Sequence, residues 1–198
     1  MRPSMKRGVT MVAVPTRHKF TVDELKQFVA AGVLSEDDRV ELIEGDLIDM
    51  SPINEPHEDA IDMFNDHLVD QIGRTARVRF GSPVRLSDLS IVQPDMSVVR
   101  RQRYLSSHPR PDDVLLLIEV SDTTLSFDLR TKVPLYARSG VPEVWVVDVN
   151  ASVIHRFLRP EGSIYQITEQ LRAGDTLTIE ALPNVSLAVA DIFDPSRD

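Results

Sequence analysis

The stretch VLLLIEVS, residues 114–121, is apolar at every position except Glu119 and Ser121. Such a run is expected of a central strand buried on both faces of a sheet. Side chains alternate along a strand, so Leu115, Leu117, Glu119 and Ser121 share one face. Beyond it, residues 128–139 read as a helix with Gly140 as its C-cap. Pro134 lies inside that span and is tolerable only if the helix begins late, near Thr131. Residues 143–149 then supply another strand.

Working outward, Thr21 and Glu24 have capping-box spacing, and the helix they open runs to about Ala31, with Gly32 as the stop. RVELIEGDLIDM, residues 39–50, reads as a hairpin with its turn near Gly45 and Asp46. Pro56 can start a second helix, in which Ile61, Phe64, Leu68 and Ile72 recur at spacings of three and four and form one buried face. Strands are expected at 76–80, 84–86, 92–99, 153–158, 163–168 and 176–179. Tyr136 and Trp145 read as core side chains. The order of elements predicts an α/β domain, a mixed sheet flanked by helices, over residues 21–198.

The 198 residues are enough for one sizeable core. Hydrophobic content of 42% and charged content of 27% are ordinary for a globular protein. No segment approaches the roughly 18 consecutive apolar residues of a membrane helix. There are no cysteines, which excludes disulfides, thiolate metal sites and cysteine nucleophiles and is compatible with a cytoplasmic protein. Residues 1–20 carry five Lys or Arg and no acid, and read as a flexible basic arm. Without them 17 basic residues face 31 acidic ones, so the body carries about −14 against −9 for the whole chain. Such a body repels phosphates unless metal ions or local basic patches intervene. Arg100, Arg101 and Arg103, beside Tyr104, form one such patch, either a solvated loop or a contact with a nucleic-acid backbone.

Three scattered residues carry the chemistry. Asp95 follows Pro94, Glu119 ends the apolar strand, and Lys132 lies thirteen residues further on. Taken singly, each has a plain reading: a strand-terminal Pro-Asp, a glutamate paired with an arginine, a solvated helix lysine. Taken together, two carboxylates and an ammonium suit magnesium-assisted cleavage of a phosphodiester. Magnesium takes oxygen ligands and keeps several waters, and a lysine can orient water or balance charge at phosphorus. Lys132 flanks the helix face formed by Leu129, Val133 and Tyr136, from which it can reach the strand ends. Asp128, one turn earlier, could hold or orient it if the helix extends that far back. The five histidines lack zinc-ligand spacing, and neither G-x-S-x-G nor a Walker A loop occurs.

The ordered series VELIEG (40–45), Pro56-His57, Gln93-Pro94-Asp95, IEVS (118–121), a lysine before Leu135-Tyr136-Ala137, and GVPEVWVVD (140–148) resembles one bacterial family. That family is the putative restriction endonucleases of the PD-(D/E)XK nuclease superfamily, and the resemblance spans about residues 20–160. It implies a restriction-endonuclease-like core and magnesium-dependent DNA cleavage, with manganese as a substitute ion. It makes Asp95 and Glu119 metal ligands, with the carbonyl of Val120 as a backbone ligand. Glu41 matches an N-terminal acid, an extra ligand or base, and is preferred to Glu44. His57 matches a family histidine. The motif's lysine, due two residues after Glu119, is replaced by Ser121, and Lys132 is the candidate for a lysine moved to the following helix. A homodimer would turn one cut per subunit into a double-strand break. The alternatives are a silent nuclease fold serving as a binding module, and a metal-dependent hydrolase of small phosphate esters.

Overall fold

The computed structural model describes residues 16–35, 38–194 and 196. In chain order the elements are α1 (Val22–Ala30), β1 (Val40–Ile43), β2 (Asp46–Asp49), α2 (Glu55–Ile72), β3 (Ala76–Phe80), β4 (Val84–Arg85), β5 (Ile91–Val92), β6 (Met96–Arg100) and β7 (Val114–Ser121). A helical turn α3 (Leu125–Phe127) leads through a π-helical turn (Asp128–Lys132) into α4 (Val133–Ser139). Then come β8 (Glu143–Asp148), β9 (Val153–Glu161), β10 (Ile164–Leu171), β11 (Thr176–Ile179), β12 (Leu182–Ala188) and α5 (Ala190–Phe193).

The main sheet has six strands in the order β10-β9-β8-β7-β6-β3. Only β7 and β8 run parallel, joined by the helical crossover, as a parallel pair requires. The strand read first in the sequence is thus central. Its alternation divides the core. Leu116, Ile118 and Val120 face α2, the β11–β12 hairpin and α5, together with Trp145 and Val147 of β8. Leu117 faces α4 and a smaller sheet of order β2-β1-β5-β4, together with Val144 and Val146.

Local chemistry explains the helix positions. The Thr21 hydroxyl accepts from the Glu24 N–H, and the Glu24 carboxylate accepts from the Thr21 N–H, the expected capping box. Asn54 caps α2 by accepting from the His57 N–H at 3.3 Å. Phe64, Leu68 and Ile72 of α2 are buried, each contributing about 1.5–3 kcal/mol by leaving water. In the β1–β2 hairpin the turn falls on Glu44 and Gly45, both at positive φ. A Cβ on Gly45 would lie 2.6 Å from the Lys19 Cβ, so only glycine lets the approaching chain pack there.

Several expectations need correction. Residues 92–99 are not one strand: β5 ends at Val92, β6 begins at Met96 in the other sheet, and Gln93-Pro94-Asp95 crosses between them. The crossover helix does not start late. It is helical from Leu125, and the wide turn lets Val133 bond to the Asp128 carbonyl five residues back, just before Pro134, which has no N–H to place. β12 and α5 have no counterpart in the sequence reading. Residues 1–15 of the expected arm lie outside the described residues, while the Phe20 N–H donates to the Gly45 carbonyl at 2.9 Å. No described helix is long and apolar enough to cross a membrane.

Candidate active site

β6 begins at Met96, opposite Ile118, whereas its neighbour β7 runs on to Ser121. The end of β7 therefore lacks a partner on that side. Asp95 fills the gap: its Oδ2 accepts from the Val120 N–H at 2.7 Å, in place of a ladder bond. The other oxygen, Oδ1, lies 3.0 Å from His57 Nε2 in the first turn of α2. His57 Nδ1 is buried with no protein partner.

Glu119 points from β7 toward α4. Its Oε2 lies 3.2 Å from Lys132 Nζ, and its Oε1 accepts from the Tyr136 hydroxyl. Lys132 also reaches Glu41 of β1 at 3.1 Å, and Glu41 accepts in addition from the Gln93 N–H at 2.8 Å. Glu41, Glu119 and Lys132 are 2%, 3% and 6% exposed, so these charges are compensated by one another rather than by water. Burial pushes the Glu119 pKa well above the usual carboxylate range; Lys132 opposes this, while Asp95, Asp128 and Glu41 add to it. Burial works against the Lys132 charge, yet Glu119 and Glu41 outweigh it and hold the pKa of the ammonium above its ordinary value. Burial also pushes the Tyr136 hydroxyl well up, leaving it a donor.

Ser121 stands two residues after Glu119 and carries no charge, but it has a structural task. Its hydroxyl donates to Asp128 Oδ2 at 2.7 Å, and the Thr124 hydroxyl donates to the same oxygen at 2.6 Å. Asp128 opens the π-turn that ends in Lys132, so Ser121 ties the end of β7 to the element that delivers the lysine. Asp128 makes no hydrogen bond to Lys132; it favours the lysine's charge through space and anchors the turn that carries it. Glu44 lies in the hairpin turn and pairs with Arg138 at 2.9 Å, away from Glu41.

Glu41, His57, Asp95, Glu119, Asp128 and Lys132 line a cleft of about 340 Å³. Its carboxylates are Glu41, Asp49, Asp95, Glu119, Asp122 and Asp128; its cations are Arg39 and Lys132. Sequence reasoning missed Arg39, the Tyr136 hydroxyl, and Asn54, which donates to Asp122 across the mouth of the cleft. Arg39 directly precedes the VELIEG stretch, the one signal that could have found it. Trp145 is core, as expected, its Nε1 donating to Glu143 at 2.8 Å. Arg100, Arg101 and Arg103 are not brought to the cleft: β6 carries them away from Asp95, Arg100 by roughly 17 Å at strand rise. Among the described residues, no three His, Cys, Asp or Glu side chains cluster closely enough to hold a metal by themselves.

The model of a family described as "Putative restriction endonuclease" (Uma2) matches residues 22–190. In fold, the chain is similar to a crystal structure described as a putative nuclease belonging to DUF820, from Anabaena variabilis ATCC 29413. That likeness has a TM-score of 0.68 at 18% identity and covers 88% of this chain and 97% of that chain. No curated protein matches the sequence.

Proposed function

The chain belongs to the family of putative restriction endonucleases, and from that premise we propose that it is a divalent-metal-dependent endodeoxyribonuclease working in the Asp95–Glu119–Lys132 cleft. One observation carries the reading. An acid from the β5–β6 crossing, an acid from the end of β7 and a lysine from the following helical crossover converge on one cleft, although 37 residues separate Asp95 from Lys132.

The donors fit a hard cation. A carboxylate offers about four lone-pair sites, and Asp95 spends one on Val120 and one on His57. The carbonyl of Val120 leaves the strand on the same side as its N–H, toward Asp95. Asp95, Glu119 and this carbonyl would hold magnesium or manganese, with waters completing the sphere. Once bound, such an ion makes a coordinated water more acidic and offsets charge on the phosphate. The remaining work falls to the chain. Tyr136 and Lys132 fix the Glu119 carboxylate from two sides. The ammonium of Lys132 has three donors; two are taken by Glu41 and Glu119, and the third is free to orient water or a phosphate oxygen. Arg39 supplies a planar guanidinium suited to a phosphate in the same cleft.

The test is nicking of supercoiled plasmid DNA at low salt with magnesium or manganese. Asp95→Ala and Glu119→Ala are expected to fall to background while keeping the wild-type circular dichroism spectrum. Cleavage that survives Asp95→Ala overturns the assignment, and turnover untouched by Lys132→Ala removes the lysine from the mechanism. Turnover of a small phosphodiester with no cleavage of DNA would move the function to small-ester hydrolysis.

A further inference from the structure

The cleft is short of positive charge. Six carboxylates line it against Arg39 and Lys132, a formal −4, so one divalent ion leaves it negative. The whole chain carries −9. A polyanionic substrate is therefore repelled unless another surface attracts it.

Edge strand β3 offers such a surface. Arg77 and Arg79 are two residues apart on β3 and so share one face, opposite Val99 and Ser97 of β6. With Arg103, Tyr104 and Leu105 they line a concavity of about 560 Å³. Among the described residues, Arg77, Arg79 and Arg103 make no ion pair with a carboxylate, whereas Arg85, Arg138, Arg156 and Arg159 do. The Arg79 guanidinium lies instead 5.5 Å from the centre of the Tyr104 ring, held by a cation–π contact that leaves its charge unneutralised. The field reaches His108, whose pKa is lowered first by burial and then by Arg79, Lys26 and Arg85. The groove also begins near the cleft: Arg79 faces Ser97, two residues from Asp95, and the Gly81 N–H donates to the Asp95 carbonyl at 2.9 Å.

We propose that the Arg77–Arg79–Arg103 groove is a second nucleic-acid site, binding the sugar–phosphate backbone outside the cleft and supplying the attraction that the acidic cleft lacks. This rests on the reading of the cleft as a site that acts on DNA. Phosphate oxygens would take the guanidinium donors, and the contact would carry no sequence preference of its own.

The experiment measures anisotropy of a short labelled DNA duplex with the full chain at low salt, with chelator present so that cleavage plays no part. Arg77→Glu and Arg79→Glu are expected to weaken binding by about tenfold or more, and Arg79→Lys to restore most of it. Arg79→Ala should reduce the slope of log affinity against log salt by about one. Arg172→Glu makes the same charge change on an exposed position remote from the groove, and is expected to leave binding unchanged. Equal weakening by Arg172→Glu and Arg79→Glu would reduce the effect to net charge and overturn the proposal. So would wild-type affinity in the glutamate variants, failure of the wild type to bind, or displacement of the duplex by polyglutamate at equal charge concentration. Asp95→Ala separates the two readings: it should bind as wild type without cleaving, so intact groove binding in a wild type that does not cleave, or in an Asp95→Ala variant that still does, strikes the nuclease assignment alone.

Discussion

Glu119 bears a burial cost that its neighbours only partly offset. Its Oε1 accepts from Tyr136 and its Oε2 from Lys132, but Asp95, Asp128 and Glu41 add like charge around it. Without metal, the folded protein therefore keeps a proton on Glu119 at pH values where the unfolded chain has lost it. The sign follows from proton linkage. The stability this group contributes is full below the ordinary carboxylate value of 4.5 and is lost as pH rises toward the raised folded value. The slope is at most about 1.4 kcal/mol per pH unit. Glu119→Gln keeps an acceptor for Tyr136 and removes the titration. In chelator its melting temperature should vary less with pH above 4.5 than that of the wild type, while cleavage in magnesium is lost. Parallel melting curves across pH would refute the account. The sequence showed Glu119, its facing and Tyr136 as core, but hid the task of the Tyr136 hydroxyl, because a tyrosine that packs with its ring and donates with its hydroxyl gives the same periodic signal as a phenylalanine.

The element that delivers Lys132 is the π-turn between α3 and α4. An ordinary helical turn would bond Val133 to the carbonyl four residues back; here it bonds to that of Asp128, five back, and the extra residue changes the facing of every side chain that follows. Pro134 pointed to an irregularity at this place but not to its kind, so the sequence reading moved the helix start instead of widening a turn. Asp95 was misplaced for a related reason. Residues 91–92 and 96–100 are both strand-like, and only Gln93-Pro94-Asp95 marks the passage from one sheet to the other. Short apolar runs show that strands exist but not which sheet they join. The π-turn account is testable through its anchor. Asp128→Ala releases the hydroxyls of Ser121 and Thr124, which should cost about 1–3 kcal/mol in urea unfolding. It should also lower turnover at saturating metal, with Asp128→Asn recovering part of both. Full turnover in Asp128→Ala would show that the anchor does not position Lys132.

Across the whole molecule, the two faces of the main sheet do different work. The α2 face is an apolar core around Phe64, Ile118 and Trp145, and the opposite face gives up part of its packing to Glu41, Glu119 and Lys132. Sequence periodicity exposed α2 and the strands of the first face, where burial is uniform, but not β12 and α5, which close it. It exposed the acids of the second face but not the walls of the cleft. Arg39, Asn54 and Asp122 come from irregular segments that meet only after the small sheet folds over the large one. Arg100, Arg101 and Arg103 lie off the cleft for the same reason, since nearness in sequence to Asp95 becomes distance along β6. An acidic cleft of this kind links metal to stability. The unfolded chain disperses its carboxylates, so a divalent ion should bind the folded state preferentially. At a hundredfold excess over the dissociation constant this contributes about 2.7 kcal/mol. Magnesium or manganese should therefore raise the melting temperature of the wild type above that in a monovalent salt of equal ionic strength. Asp95→Ala and Glu119→Ala should lose this increment while still responding to the monovalent salt. An equal metal-induced rise in wild type and both variants would mean that the ion binds elsewhere on the acidic surface and that these two carboxylates are not its ligands.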